Sequence, residues 1–237
     1  MKEKRARIVK IFILILCVLT LGFAFMKYQG TRARVDYAKQ KEEVVATVDG
    51  KSLVFEDLAF YILYEERVVE EQARIYNPSS TKDYWNIHTN DTFIQSEAKD
   101  AVINMAIHDE LYYQLAVKEG IDELTTLDKR DLENAKTDFW EDLLDEQWEK
   151  LPASEDVINA QIEKIAIAEK YEIYIANENN DTLASYKYDG YGYSQLLKEH
   201  EVSIEKIWDR FVMGDITLTH KKFNAINGFE HEKKKEK

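Results

Sequence analysis

DTFIQSEAKDAVINMAIHDELYYQLAVKEG, residues 91–120, sets Ile94, Ala98, Ala101, Val102, Met105, Leu111, Tyr112, Leu115 and Ala116 at three- and four-residue steps. That spacing is the stripe of a core-facing helix. Asp91 or Thr92 can cap its start by accepting a backbone N–H, and Gly120 can take the left-handed conformation that ends it. At 1.5 Å per residue the helix is about 40 Å long. It cannot bury its apolar face alone, so the flanking segments must pack on it.

Upstream, VVATVDGKSLVF reads as a strand over Val44–Val48, a tight turn at Asp49-Gly50 and a return strand or extended lead over Ser52–Phe55. From Glu56 the period lengthens. Leu58, Tyr61, Ile62, Glu65, Val68, Val69 and Ala73 mark a helix that stops near Asn77-Pro78, because proline disfavours helical geometry in the residue before it. Residues 77–91 form a polar connection carrying Tyr84, Trp85 and Ile87, and its tryptophan is expected to tuck back onto the core.

Downstream, Thr125 with Asp128 has the spacing of a capping box, and Leu132, Ala135, Phe139, Trp140, Leu143, Leu144 and Trp148 hold a helical period. Ser154 is a candidate cap for a helix through Ile158, Ile162 and Ile165. Past Lys170 two readings compete. Tyr171–Ile175 and Ser185–Tyr188 read as strands around the turn-rich 177–181, or the helix runs on to Ala176. Ile204, Ile207, Trp208, Phe211 and Val212 form an amphipathic set ending at Gly214, and Ile216–Leu218 is a candidate last strand. The tail from Glu230 has no apolar residue.

At the other end, Lys2, Lys4, Arg5, Arg7 and Lys10 precede the uncharged run IFILILCVLTLGFAFM, residues 11–26. This predicts a membrane helix over 1–27 with its N-terminus cytoplasmic, retained as an anchor rather than cleaved, since no small-residue cleavage site follows. Residues 28–43 then read as a linker. The 237 residues include two prolines and eight glycines, a scarcity that favours helices over a sandwich or barrel. The predicted architecture is therefore mainly α with a few short strands: a helical domain over 44–150, a C-terminal part over 151–229 packing on it, and a disordered tail over 230–237.

Charge and composition exclude much. The net charge is −13 overall and −18 outside residues 1–27, which argues against nucleic acid as a partner. The single Cys17 leaves no disulfide framework within one chain. His88, His108, His200, His220 and His231 show no zinc-protease spacing, and no phosphate loop, dinucleotide fingerprint or serine-hydrolase motif occurs, so no cofactor, metal or catalytic residue is expected. Glu65, Glu66, Glu70 and Glu71 read as an ordinary solvated helix face. Tyr171, Tyr174, Tyr186, Tyr188, Tyr191 and Tyr193 form a tyrosine-rich patch that serves peptide or glycan contact or simple packing.

The order of these features resembles the N-terminal domain of the SurA and PrsA foldases. The phrases that carry it are Val44-Val45-Ala46-Thr47-Val48-Asp49-Gly50-Lys51, the helix start Phe55-Glu56-Asp57-Leu58, Leu115-Ala116-Val117-Lys118-Glu119-Gly120-Ile121 and the restart at Thr125-Thr126, within Val44–Trp148. The resemblance implies an extracytoplasmic, membrane-anchored chaperone module of a Gram-positive envelope that holds unfolded or newly exported polypeptides. Tyr64, Trp85, Tyr113 and Trp148 are the candidate client contacts, chosen as large side chains near stripe edges or in loops. Residues 151–237 lack the H-I-L-like strand and G-G-x-L-G-like loop of a parvulin domain, so a degenerate prolyl isomerase is the alternative, and an envelope scaffold with one dedicated partner the third reading.

Overall fold

The computed structural model describes residues 20, 35–89, 91–218 and 220. The expected anchor at 1–27, apart from Thr20, and the tail at 230–237 lie outside the described residues. Among the described residues no helix is long and apolar enough to cross a membrane. The described protein is mainly helical with a few short strands.

Part of the expected linker belongs to the fold. Helix α1 (Tyr37–Gln40) is short, but Tyr37 donates its hydroxyl to the Phe55 carbonyl at 3.0 Å and packs edge-on against the Phe55 ring. Strand β1 (Val44–Val48) and strand β2 (Lys51–Val54) form the expected hairpin. Its turn needs positive φ at both central residues, and Asp49 and Gly50 supply 47° and 82°. A single 3-10 turn (Phe55–Leu58) leads into helix α2 (Ala59–Tyr76), which ends before Asn77-Pro78 as predicted.

The chain then makes helix α3 (Thr81–Trp85) and a tiny hairpin of β3 (His88–Thr89) and β4 (Thr92–Phe93) before helix α4 (Ile94–Glu119). This corrects the start of the central helix. Asp91, at φ 69°, and Thr92 are consumed by the hairpin, and the cap position falls to Phe93 without a side-chain cap. The end is as expected, with Gly120 left-handed at φ 73°. In the middle of α4 the run Ala106–Tyr112 is buried without a break, so the helix is enclosed on all sides.

Helix α5 (Thr126–Glu141) opens on the predicted capping box, with Thr125 and Asp128 exchanging hydrogen bonds of 2.9 and 3.2 Å. It does not reach Trp148. The chain breaks and restarts as helix α6 (Asp145–Trp148), because the buried Gln147 amide is drawn inward. Gln147 accepts from the Leu144 N–H and donates to the Leu63 carbonyl at 2.9 Å and to Thr217 Oγ1 at 3.2 Å. Helix α7 (Glu155–Glu178), capped by Ser154, packs along α4. Of the two readings past Lys170 the continued helix holds and the strand at 171–175 does not, since Ala168, Tyr171, Glu172 and Ala176 share one buried face of a helix that runs to Glu178. Ser185–Tyr188 is not a strand either: residues Leu183–Tyr186 make a 3-10 turn before helix α8 (Tyr191–Leu196).

The last strand is also displaced from its expected place. Strand β5 (Val202–Ile204) pairs antiparallel with β1, giving the order β2-β1-β5, while Ile216–Leu218 is irregular. Phe55, Trp208 and Phe211 pack together as one ring cluster, with centroids 4.6 to 5.9 Å apart. A second core joins α2, α5 and α7 through Ala59, Leu63, Leu132, Phe139, Ile158 and Ile162.

What replaces the expected final strand is a loop held by a carboxylate. Glu66, on α2 and fully buried, accepts from the backbone N–H of Gly214, Ile216 and Thr217 at 2.8, 3.2 and 2.9 Å, and from the Thr217 hydroxyl. One turn on, buried Glu70 accepts from Trp85 Nε1 at 2.9 Å. The helix face once read as solvated is thus half interior: Ala59, Ile62, Leu63, Glu66, Val69, Glu70 and Ala73 make the buried stripe. Glu65 is only half-buried and Glu71 is exposed.

His220 closes this region, with Nδ1 3.7 Å from Glu70 and Nε2 3.4 Å from Asp215. Burial lowers its pKa, but hydrogen bonds and charge from Asp215 and Glu70 outweigh that and raise it from 6.5 to about 9. With the folded value above the unfolded one, the contribution is complete below the unfolded value and is lost as pH rises through the folded value. Denaturant midpoints are expected to fall between about pH 6.5 and pH 9.5, by up to about 3 kcal/mol in free energy. In His220→Ala that slope flattens, and an identical slope in both proteins refutes the assignment.

Candidate functional site

Helices α2, α4 and α7 and the segment after the 3-10 turn at Leu183–Tyr186 leave a cavity of about 310 Å³ between them. Its position follows from the helix register. Phe60, Tyr61 and Tyr64 come from successive turns of α2, Met105, His108 and Asp109 from α4, Ile165, Glu169 and Glu172 from α7, and Lys187 and Tyr188 from the loop. Tyr64 and Tyr188 stand at 38% and 37% exposure, so the cavity opens to solvent past two tyrosine rings.

The inner wall is a connected polar chain. Gln161 donates to the Tyr61 hydroxyl at 2.8 Å, and that hydroxyl donates to Asp109 Oδ2 at 2.8 Å. Asp109 Oδ1 lies 2.7 Å from His108 Nδ1, and His108 Nε2 lies 2.9 Å from the Tyr186 carbonyl, which also accepts from Tyr112 at 3.0 Å. Burial, then the neighbouring Asp109 charge and its hydrogen bond, drive the Tyr61 hydroxyl well above the ordinary tyrosine value. Tyr61 is therefore a neutral donor at physiological pH. His108, Asp109 and Glu110 are interior groups, each partnered; Glu110 is paired with Lys164. Among the described residues, no three His, Cys, Asp or Glu side chains converge to hold a metal ion.

The four sequence-derived contact residues separate. Tyr64 forms the rim of the cavity, stacked on Phe60 at 6.2 Å. From Phe60 a row of rings continues through Phe139 at 4.8 Å, Trp140 at a further 5.2 Å and Trp148 at a further 5.0 Å. The fold thereby links Tyr64 to Trp148, which is 44% exposed. Tyr113 is half-buried one turn of α4 beyond the cavity-lining Asp109, with the Lys164 ammonium 5.2 Å from its ring centre. Trp85 is interior, 3% exposed, and presents no surface.

The tyrosine-rich patch divides likewise. Tyr171, Tyr186 and Tyr193 are buried, with Tyr171 and Tyr193 each packed against Tyr112, whereas Tyr188 borders the cavity and Tyr191 is 75% exposed. Sequence reading missed Phe60, Asp109, Glu169, Glu172 and Lys187. The α2 stripe could have indicated Phe60, which lies beside the apolar positions, but no local pattern marks the α7 carboxylates. No family model, curated protein or solved structure matches this chain.

Proposed function

We propose that this protein is a membrane-anchored, extracytoplasmic chaperone-like module, built on a SurA-N-like helical domain, that holds unfolded or newly exported polypeptides without catalysis. The observation that supports it is the aromatic row from Tyr188 and Tyr64 at the cavity mouth through Phe60, Phe139 and Trp140 to the exposed Trp148. The exposed ends of the row, Tyr64 and Tyr188 on one side and Trp148 on the other, offer weak, side-chain-tolerant apolar contacts whose spacing the interior Phe139 fixes, whereas a cavity of about 310 Å³ is small for a larger ligand. The resemblance in the hairpin and helix phrases, and the basic-then-apolar N-terminus, supply the envelope setting.

The test is suppression of aggregation of an unfolded model client, followed by light scattering, with the full chain in neutral detergent. Suppression is expected at small molar excess, weakened severalfold in a Tyr64→Ser/Trp148→Ser double variant that keeps its helical circular dichroism. No suppression at any ratio refutes general holding and favours the dedicated-scaffold reading. The isomerase alternative rests on Lys187 and Tyr188, which bring the C-terminal part to the cavity. It requires a catalysed rate in proline-limited refolding, and a rate equal to the uncatalysed one removes it.

A further inference from the structure

We propose that the cavity at the head of the aromatic row is a pocket for an arginine side chain of the held polypeptide, an inference that rests on the polypeptide-holding reading above.

Charge gives the first argument. Asp109, Glu169 and Glu172 line the cavity against one ammonium, Lys187, so the wall is net negative whichever protonation state His108 takes. Glu172 is 1% exposed, and Lys187 donates its hydrogen bond to Oε2 at 3.2 Å. Oε1, although 3.1 Å from the same ammonium, receives no hydrogen bond. Both oxygens thus lie beside the Lys187 ammonium, and Glu172 adds negative charge to the wall from within it.

Shape gives the second. The entrance is walled by Phe60, Tyr64 and Tyr188; Phe60 and Tyr64 stack on each other, and the ring of Tyr188 is the face left to attract a planar cation, on which guanidinium stacks better than ammonium because it is flat and weakly hydrated. The protein already makes this contact, since the Arg67 guanidinium lies 5.8 Å over the Tyr64 ring. A guanidinium also offers several N–H donors in a fork, suited to the exposed Glu169 carboxylate, with Glu172 adding its charge from the wall of the same cavity. Anionic and neutral polar side chains gain neither contact. Arginine in a client thus anchors the register, and the aromatic row takes the residues beyond it.

The experiment is fluorescence anisotropy with the full chain in neutral detergent and four labelled, capped nonapeptides. They are identical except for a central Arg, Lys, Gln or Glu. The arginine peptide is expected to bind about tenfold tighter than the glutamine peptide, with lysine between them and glutamate weakest. Glu172→Gln, and separately the rim variant Glu169→Gln, are expected to reduce the arginine preference while leaving the glutamine peptide unchanged. Equal binding of all four peptides overturns the arginine pocket and leaves the holding function standing. A preference that survives both variants overturns the assignment to this cavity. No binding of any peptide overturns the pocket and the holding function together.

Discussion

Glu66→Ala is expected to destabilise the folded protein by about 3–5 kcal/mol. The substitution strips the acceptor from three backbone N–H groups and the Thr217 hydroxyl at once. None of the three N–H groups has another partner in regular structure, because residues 213–218 form neither helix nor strand. Each donor left dry costs about 1–3 kcal/mol, reduced where water enters the space vacated by the side chain. Burial raises the Glu66 carboxyl above its ordinary value, and the hydrogen bonds from Thr217, Ile216 and Gly214 oppose that shift without cancelling it. The side chain stabilises through the four donors it accepts from. Glu66→Gln keeps one acceptor oxygen but sets an NH2 donor against the donors the other oxygen served, so it should recover only part of that loss, and exposed Glu71→Ala should change stability by no more than about 0.5 kcal/mol. Urea midpoints decide the order. Limited proteolysis adds the location, since cleavage within 211–220 should appear in Glu66→Ala first. Equal stability of Glu66→Ala and Glu71→Ala would show that the loop is held by something else.

Trp85→Ala carries the second large effect, about 3–5 kcal/mol, through the loss of a fully packed indole. The ring donates Nε1–H to Glu70 and lies so close to Gly214 that a Cβ there would stand 2.8 Å from Cδ2. Gly214 also has φ 87°, so glycine meets two demands there: the left-handed turn and the approach of the indole. Removing the ring leaves a cavity against the turn and leaves Glu70 without its nearest donor. Trp148→Ala, by contrast, removes a ring that is 44% exposed and should cost about 1 kcal/mol or less. Chemical denaturation separates the two. The consequence for function is direct: weaker client holding in a Trp85 variant reports unfolding, whereas weaker holding in a Trp148 variant reports the surface. Equal stability losses would refute the distinction.

The chain places the two tryptophans differently, Trp85 in a polar connection that is expected to tuck it onto the core and Trp148 at the end of a helical stripe, yet both qualify as candidate contacts by size and position. What separates them is the carboxylate at Glu70, fifteen residues before Trp85, and the glycine turn at 214, well over a hundred residues after it. The cavity shows the same dependence. Tyr64 was legible from its place at the edge of the α2 stripe. Its neighbours Glu169, Lys187 and Tyr188 reach it only because α7 continues as helix to Glu178 instead of turning into a strand at Tyr171.

By itself the sequence determined the features whose causes lie within about four residues: the Asp49-Gly50 turn, the stop at Asn77-Pro78, the Gly120 terminus, the Thr125–Asp128 capping box, the Ser154 cap and the apolar stripe of α4. Sterics and local hydrogen bonds set these before any tertiary contact forms. Only the tertiary structure decided that Val202–Ile204, not Ile216–Leu218, completes the sheet, and that Glu66 and Glu70 belong to the interior. A glutamate on an amphipathic helix is stable either in water or in a dry site that supplies its donors. The donors to Glu66 come from residues 214–217, about 150 positions along the chain, and no local pattern encodes that distance.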